Sequence, residues 1–227
     1  MIDLLAQDPS RTSHLERSFI VQRTGMALLA AVFPFVFLAS SYIFGRTEFQ
    51  ASISRYYWTL DPERNFFVGA LCAIGVFLLL YKGYNWLEDR VLDAAGIGAV
   101  GIAFFPTIKN GGSGSFSLHG FFAVTFFACI FFICIFMSDK SLQEIVDLKR
   151  REWFRKAYRI CSGVMVVSIL LAVVTRFLPD EYTLVIYAKG AIFWFEAVGV
   201  WSFSAYWYIK TRELDPSRSW MPLKKNR

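Results

Sequence analysis

From Leu118 to Met137 the chain runs 20 residues without an Asp, Glu, Lys or Arg: LHGFFAVTFFACIFFICIFM. About 20 such residues in a helix reach across a hydrocarbon layer roughly 30 Å thick. A helix that is apolar on every side belongs in a large core or in lipid. Asn65–Tyr81 is a second uncharged run, and Tyr182–Ile209 carries only Lys189 and Glu196. Hydrophobic residues make up 56% of the 227-residue chain and charged residues 19%, against about a quarter charged in soluble domains. These features exclude a disordered chain, a disulfide miniprotein and an ordinary soluble enzyme.

Six segments are long enough to cross: Gly25–Gly45, Phe66–Tyr84, Val91–Ile108, Leu118–Met137, Ile160–Leu178 and Thr183–Ile209. The expected fold is therefore all-α, a polytopic membrane protein built as a bundle of six transmembrane helices. Residues 1–24 form a cytoplasmic N-terminal segment, 25–209 the transmembrane domain and 210–227 a basic cytoplasmic tail. Val91–Ile108 is the least hydrophobic span, rich in Ala and Gly and carrying Asp93. Small residues let helix backbones approach closely, so this span is expected to face protein. Pro34 falls inside the first span, where neighbouring helices compensate the missing hydrogen bond. The residues ahead of that span lack the short apolar core and cleavage site of a secretory signal.

Basic residues gather on the cytoplasmic side of a multi-pass protein. With six spans, one side receives 18 of the 24 Lys and Arg residues, including Arg23, Arg90, Arg150, Arg151 and Lys210. The opposite side receives five, Arg46, Arg55, Arg64, Lys109 and Arg176, and Lys189 lies within a span. Both termini are accordingly placed in the cytoplasm. The same asymmetry accounts for the net charge of +6 without a nucleic-acid partner. Ser138–Arg159 is read as a topology-setting loop whose basic and apolar residues are also suited to anionic lipid. Cys72, Cys129, Cys134 and Cys161 lie in apolar runs without metal-ligand or redox spacing and are read as small buried hydrophobes.

Ionisable groups inside a span cost about 2.5–3.5 kcal/mol each on insertion scales, so each needs a partner or a wet cavity. Glu196 lies near the middle of the sixth span, with Lys189 two helical turns before it. The first outer loop concentrates Ser52, Ser54, Tyr56, Glu63 and Arg64; Asn65 opens the second span and His119 the fourth. Together with Lys189 and Glu196, these residues are the candidate lining of an outward-facing pocket, with Glu196 as its floor. The plainer alternative is a set of helix caps and loop hydrogen bonds.

A zinc hydrolase needs about three ligands, and the two histidines, His14 and His119, fall on opposite sides of the membrane. No metal centre and no cofactor are expected. Serine chemistry at Ser52 or Ser54 would have only His119 as base. A proton relay or a pore ring through Glu196 keeps a transporter or an oligomeric channel subunit open.

The stretches SISRYY (Ser52–Tyr57), ERNFFVGALCAIG (Glu63–Gly75), YKGY (Tyr81–Tyr84), AGIGAVGIAFFPT (Ala95–Thr107), LHG (Leu118–Gly120) and FWFEA with WSFSAYW (Phe193–Trp207) resemble an uncharacterised family of bacterial multi-pass membrane proteins. The arrangement is also distantly similar to the six-span DRAM-type family, where a Pro-Glu pair opens the second span and a His a later one. Pro62-Glu63 and His119 match that arrangement. The resemblance implies a bacterial inner membrane and no defined reaction. The reading that emerges is a non-enzymatic membrane protein binding a lipid or small amphiphile, with membrane lipids and a second copy of the chain as partners. A small transporter or channel subunit and a lipid-modifying enzyme are the alternatives.

Overall fold

The computed structural model describes residues 9–108, 117–143, 145, 147–175, 178, 182, 185–186 and 190–214. These residues form helices and connecting turns, with no strand among them. The helices are α1 (Pro9–Leu38), α2 (Asp61–Leu80), α3 (Trp86–Phe104), α4 (Leu118–Phe132), α5 (Ser138–Leu142), α6 (Leu148–Val174) and α7 (Ala191–Leu214). Wide π turns prolong α1 over Ala39–Ile43 and α4 over Ile133–Met137. A 3₁₀ turn, Ile53–Trp58, interrupts the loop between α1 and α2.

Side chains set several of these boundaries. Asn85 accepts the backbone N–H groups of Leu87 and Glu88 at 3.1 and 3.2 Å and opens α3. Ser117 accepts from Gly120 at 3.1 Å and opens α4. Asp147 caps α6 by accepting from Lys149 at 2.9 Å. Such caps satisfy amides that have no partner within the helix. The basic stretch expected as the loop Ser138–Arg159 is therefore largely helical: α5 takes its start, and α6 begins at Leu148 and runs on through the apolar residues.

Four helical stretches are long and apolar enough to cross a membrane: Arg17–Ile43, Asp61–Leu80, Leu118–Met137 and Leu148–Val174. The remaining long helices, α3 and α7, are less apolar, and their packing explains why. α3 lies between α2 and α4, and α7 lies between α1 and α6. With α1 on α2 and α4 on α6, the six long helices close a ring. Gly75 of α2 meets Gly96 of α3 so closely that a Cβ on either would stand 2.8 Å from the other's carbonyl oxygen. α7 uses its polar side chains on neighbouring backbones: Trp201 Nε1 donates to Ala31 O at 3.1 Å, Ser202 to Cys161 O at 2.8 Å and Ser204 to Ala27 O at 2.7 Å.

The core is aromatic, with Phe33, Phe37, Phe67, Phe126, Phe203 and Trp207 all buried. The outside is apolar as well: Leu28, Phe35, Val76, Phe121, Val167 and Leu171 are exposed. A soluble monomer rarely presents that much hydrocarbon to water. The chain has the build of a membrane protein.

Candidate functional site

The loop ahead of α2 folds back onto the start of α7. Gly190 precedes that helix with φ +64°, and a Cβ there would stand 2.3 Å from the Phe49 ring. Phe193 N–H donates to Ala51 O at 2.8 Å, which holds the loop in place. One turn further along α7, the half-buried Glu196 meets the start of the 3₁₀ turn. Its Oε2 accepts the Ile53 backbone N–H at 2.6 Å, and its Oε1 accepts the hydroxyls of Ser52 at 3.1 Å and Ser54 at 3.5 Å.

His119, in the first turn of α4, completes this group. Its Nδ1 lies 3.0 Å from Phe105 O and its Nε2 lies 3.1 Å from Ser54 Oγ. A carbonyl oxygen only accepts, so the network assigns the proton of a neutral ring to Nδ1. Nε2 then presents its lone pair to the Ser54 hydroxyl, whose single proton goes either to it at 3.1 Å or to Glu196 Oε1 at 3.5 Å. Ser52, Ser54, His119 and Glu196, four of the nine residues singled out in the sequence, thus meet at one end of the bundle.

The other five are placed differently. Tyr56 is buried, with its hydroxyl 2.7 Å from Ser41 Oγ. Glu63 is buried in the first turn of α2, where Oε1 accepts from Ser40 and pairs with Arg46 at 3.4 Å; among the described residues its Oε2 has no hydrogen-bond partner. Arg64 pairs with the exposed Asp61. Asn65 is exposed. Lys189 lies outside the described residues. Among the described residues no three His, Cys, Asp or Glu side chains are grouped as metal ligation would require.

A second polar cluster occupies the opposite end of the bundle. Arg23 and Lys210, read from sequence as topology-setting surface cations, are buried at 3% and 2% exposure. Arg23 donates to the Tyr81 hydroxyl and, through Nη1, to Lys210 O at 2.8 Å. Lys210 Nζ pairs with Glu213 at 2.9 Å and donates to Ser141. Tyr158 donates to the same Glu213 oxygen at 2.6 Å. Burial pulls the Lys210 pKa down, against the opposing pull of Glu213. Glu88, also buried, accepts from Tyr84 N–H at 2.9 Å, and desolvation raises its pKa above the ordinary carboxylate value. The sequence signal for this cluster was present but ambiguous. Lys210 and Glu213 are three apart and share a helix face, yet a solvated tail has the same spacing.

Residues 49–193 match the family described as Protein of unknown function (DUF998). The chain belongs to this family. No curated protein and no solved structure matches the chain. The DUF998 region takes in the 3₁₀ turn, α2 to α6 and the first residues of α7. It therefore includes Ser52, Ser54 and His119 and ends three residues before Glu196.

Proposed function

We propose that this DUF998 protein crosses a bacterial cytoplasmic membrane six times, with both termini inside. On this reading its outer face binds the headgroup of a lipid or small amphiphile at Glu196, Ser52, Ser54 and His119. The observation that carries the binding site is the convergence on Glu196 of one backbone N–H and two hydroxyls, with His119 bonded to one of the hydroxyls. Polar groups able to accept and donate are gathered there at one rim of a bundle with an aromatic core. Trp58, Phe105 and Leu118, beside the cluster, are exposed and suited to a hydrocarbon tail. Ligand sites commonly combine a mostly apolar wall with a few fixed polar groups.

Membrane geometry supports the topology. Glu196 and Lys210 mark the two polar ends of the bundle and are 14 residues apart on α7, about 21 Å along a helix. The exposed surface between them is apolar, and the excess of basic residues lies at the Lys210 end. α3 and α7 complete six crossings: Glu88 and Asp89 at the start of α3 and Trp201, Ser202 and Ser204 of α7 are bonded within the protein rather than offered to lipid.

Transport through Glu196 would need polar groups leading inward from it. The next residues on its face of α7, Val200 and Phe203, are apolar.

Native mass spectrometry of protein released from lipid nanodiscs tests the binding site. Wild type is expected to retain one headgroup class that Glu196→Gln and His119→Ala lose. Identical retained species in all three would overturn the proposal.

A further inference from the structure

We propose that Ser54 is a nucleophile for acyl transfer, that His119 is its general base, and that the substrate is a carboxylic ester of a lipid presented at the outer face. This rests on the amphiphile-binding reading and gives that site a chemistry.

The geometry is that of an activated hydroxyl. Ser54 Oγ stands 3.1 Å from His119 Nε2, within the range over which a serine passes its proton to an imidazole. The Phe105 carbonyl, 3.0 Å from Nδ1, holds the ring in the tautomer that leaves Nε2 free to accept. It takes the orienting role that a carboxylate plays in a serine triad. Burial of His119 at 6% exposure keeps the ring fixed, while Ser54 is partly exposed and reachable. Ser52 is less suited: it is buried, lies nearer Glu196 Oε1 at 3.1 Å against 3.5 Å for Ser54, and Ser54 is the serine that His119 reaches. Glu196 positions the nucleophile, since its bond to Ile53 N–H fixes the residue immediately before Ser54. The exposed rings and chains of Trp58, Leu118 and Phe121 provide the apolar side along which an acyl chain would lie.

The reaction balances without an oxidant or reductant. Ser54 Oγ bonds to the ester carbonyl carbon as its proton passes to His119 Nε2. The ester C–O bond then breaks, and the leaving alcohol takes that proton. Water next attacks the acyl-serine, giving its proton to His119. The Oγ–acyl bond breaks, a carboxylic acid leaves, and Ser54 recovers its proton from the imidazole. The sum is ester plus water to acid plus alcohol.

The test is labelling of the full chain in nanodiscs with a long-chain alkyl fluorophosphonate, followed by peptide mapping. The expected result is one adduct on the peptide carrying Ser54, absent in Ser54→Ala. Folded His119→Ala or His119→Asn protein is expected to label about 100-fold more slowly or worse, the usual loss when a general base is removed. No adduct above a heat-denatured control, an adduct on another residue, or wild-type labelling by a folded His119 variant would each overturn the proposal. If neither His119 variant folds, the wild-type adduct map decides alone. Lipid retained by the wild type without any Ser54 adduct would overturn acyl transfer and leave the binding reading standing. Loss of all retained lipid would overturn the binding reading itself.

Discussion

The backbone N–H of Ile53 donates to Glu196 Oε2 across 2.6 Å, joining residues 143 apart in sequence. This bond and those from Ser52 and Ser54 fasten the loop between α1 and α2 to α7. Hydrogen bonds to a charged acceptor are worth about 1.5–3 kcal/mol each, and removing the acceptor leaves a buried amide unpaired. Glu196→Ala is therefore expected to lower the thermal midpoint in detergent by several degrees. Glu196→Gln, which keeps an acceptor oxygen, should lower it less. Equal midpoints for wild type and Glu196→Ala would show that the loop is held by other contacts.

At the other end, Lys210 and Glu213 form an ion pair with side chains 3% and 5% exposed. Removing one partner of such a pair strands a buried charge and costs about 3–5 kcal/mol. Glu213→Leu should therefore destabilise the protein severely. The double variant Lys210→Met/Glu213→Leu should recover most of that loss. A double-mutant cycle by denaturant unfolding measures the coupling, and additive effects would argue against the pair.

Glu88 gives a pH dependence with a definite sign. Its pKa in the folded protein is raised by desolvation, so folding favours the protonated carboxyl. Its contribution to stability is present in full below the unfolded-state carboxylate pKa and is lost as pH rises through the raised folded value. Glu88→Gln keeps an acceptor for Tyr84 N–H without the charge. It should be more stable than wild type at neutral pH, and the gap should close on acidification. Melting curves across pH check this. A gap that widens toward acid would reverse the assignment.

The contact between α2 and α3 depends on two glycines. A Cβ on Gly75 would stand 2.7 Å from Val100 Cγ2 and 2.8 Å from Gly96 O, whereas a Cβ on Gly69 meets nothing within 4 Å. Gly75→Ala must push the helices apart, and overpacking of this kind costs about 1–3 kcal/mol. Gly69→Ala should be neutral or gain about 0.5–1 kcal/mol from helix propensity. Similar losses in both variants, read from unfolding, would mean that helix separation does not limit stability.

Much of this architecture was legible in the order of the residues. The uncharged run Leu118–Met137 dictates a lipid-exposed helix because hydrocarbon offers backbone polar groups no partner. The small residues of α3 signal close packing, which Gly75 and Gly96 show. Helix ends were less legible. The apolar pattern places the fifth span at Ile160, but α6 starts twelve residues earlier, where Asp147 caps it. Apolar periodicity marks where lipid lies and says little about where a helix stops in water.

What the sequence by itself determined, then, is a helical chain whose long apolar segments require lipid, because transfer of such side chains from water depends on composition alone. Which polar residues find one another was decided only by the tertiary structure. Ser54 and His119 are 65 residues apart, and Arg23 and Lys210 are 187 apart. No spacing rule relates positions on helices that meet only when the ring closes. The same closure separated residues the sequence had grouped, leaving Arg64 on exposed Asp61 while Glu196 took the serines. A carboxylate in a bundle bonds whichever donors packing brings within about 3 Å, and packing is a property of the whole chain.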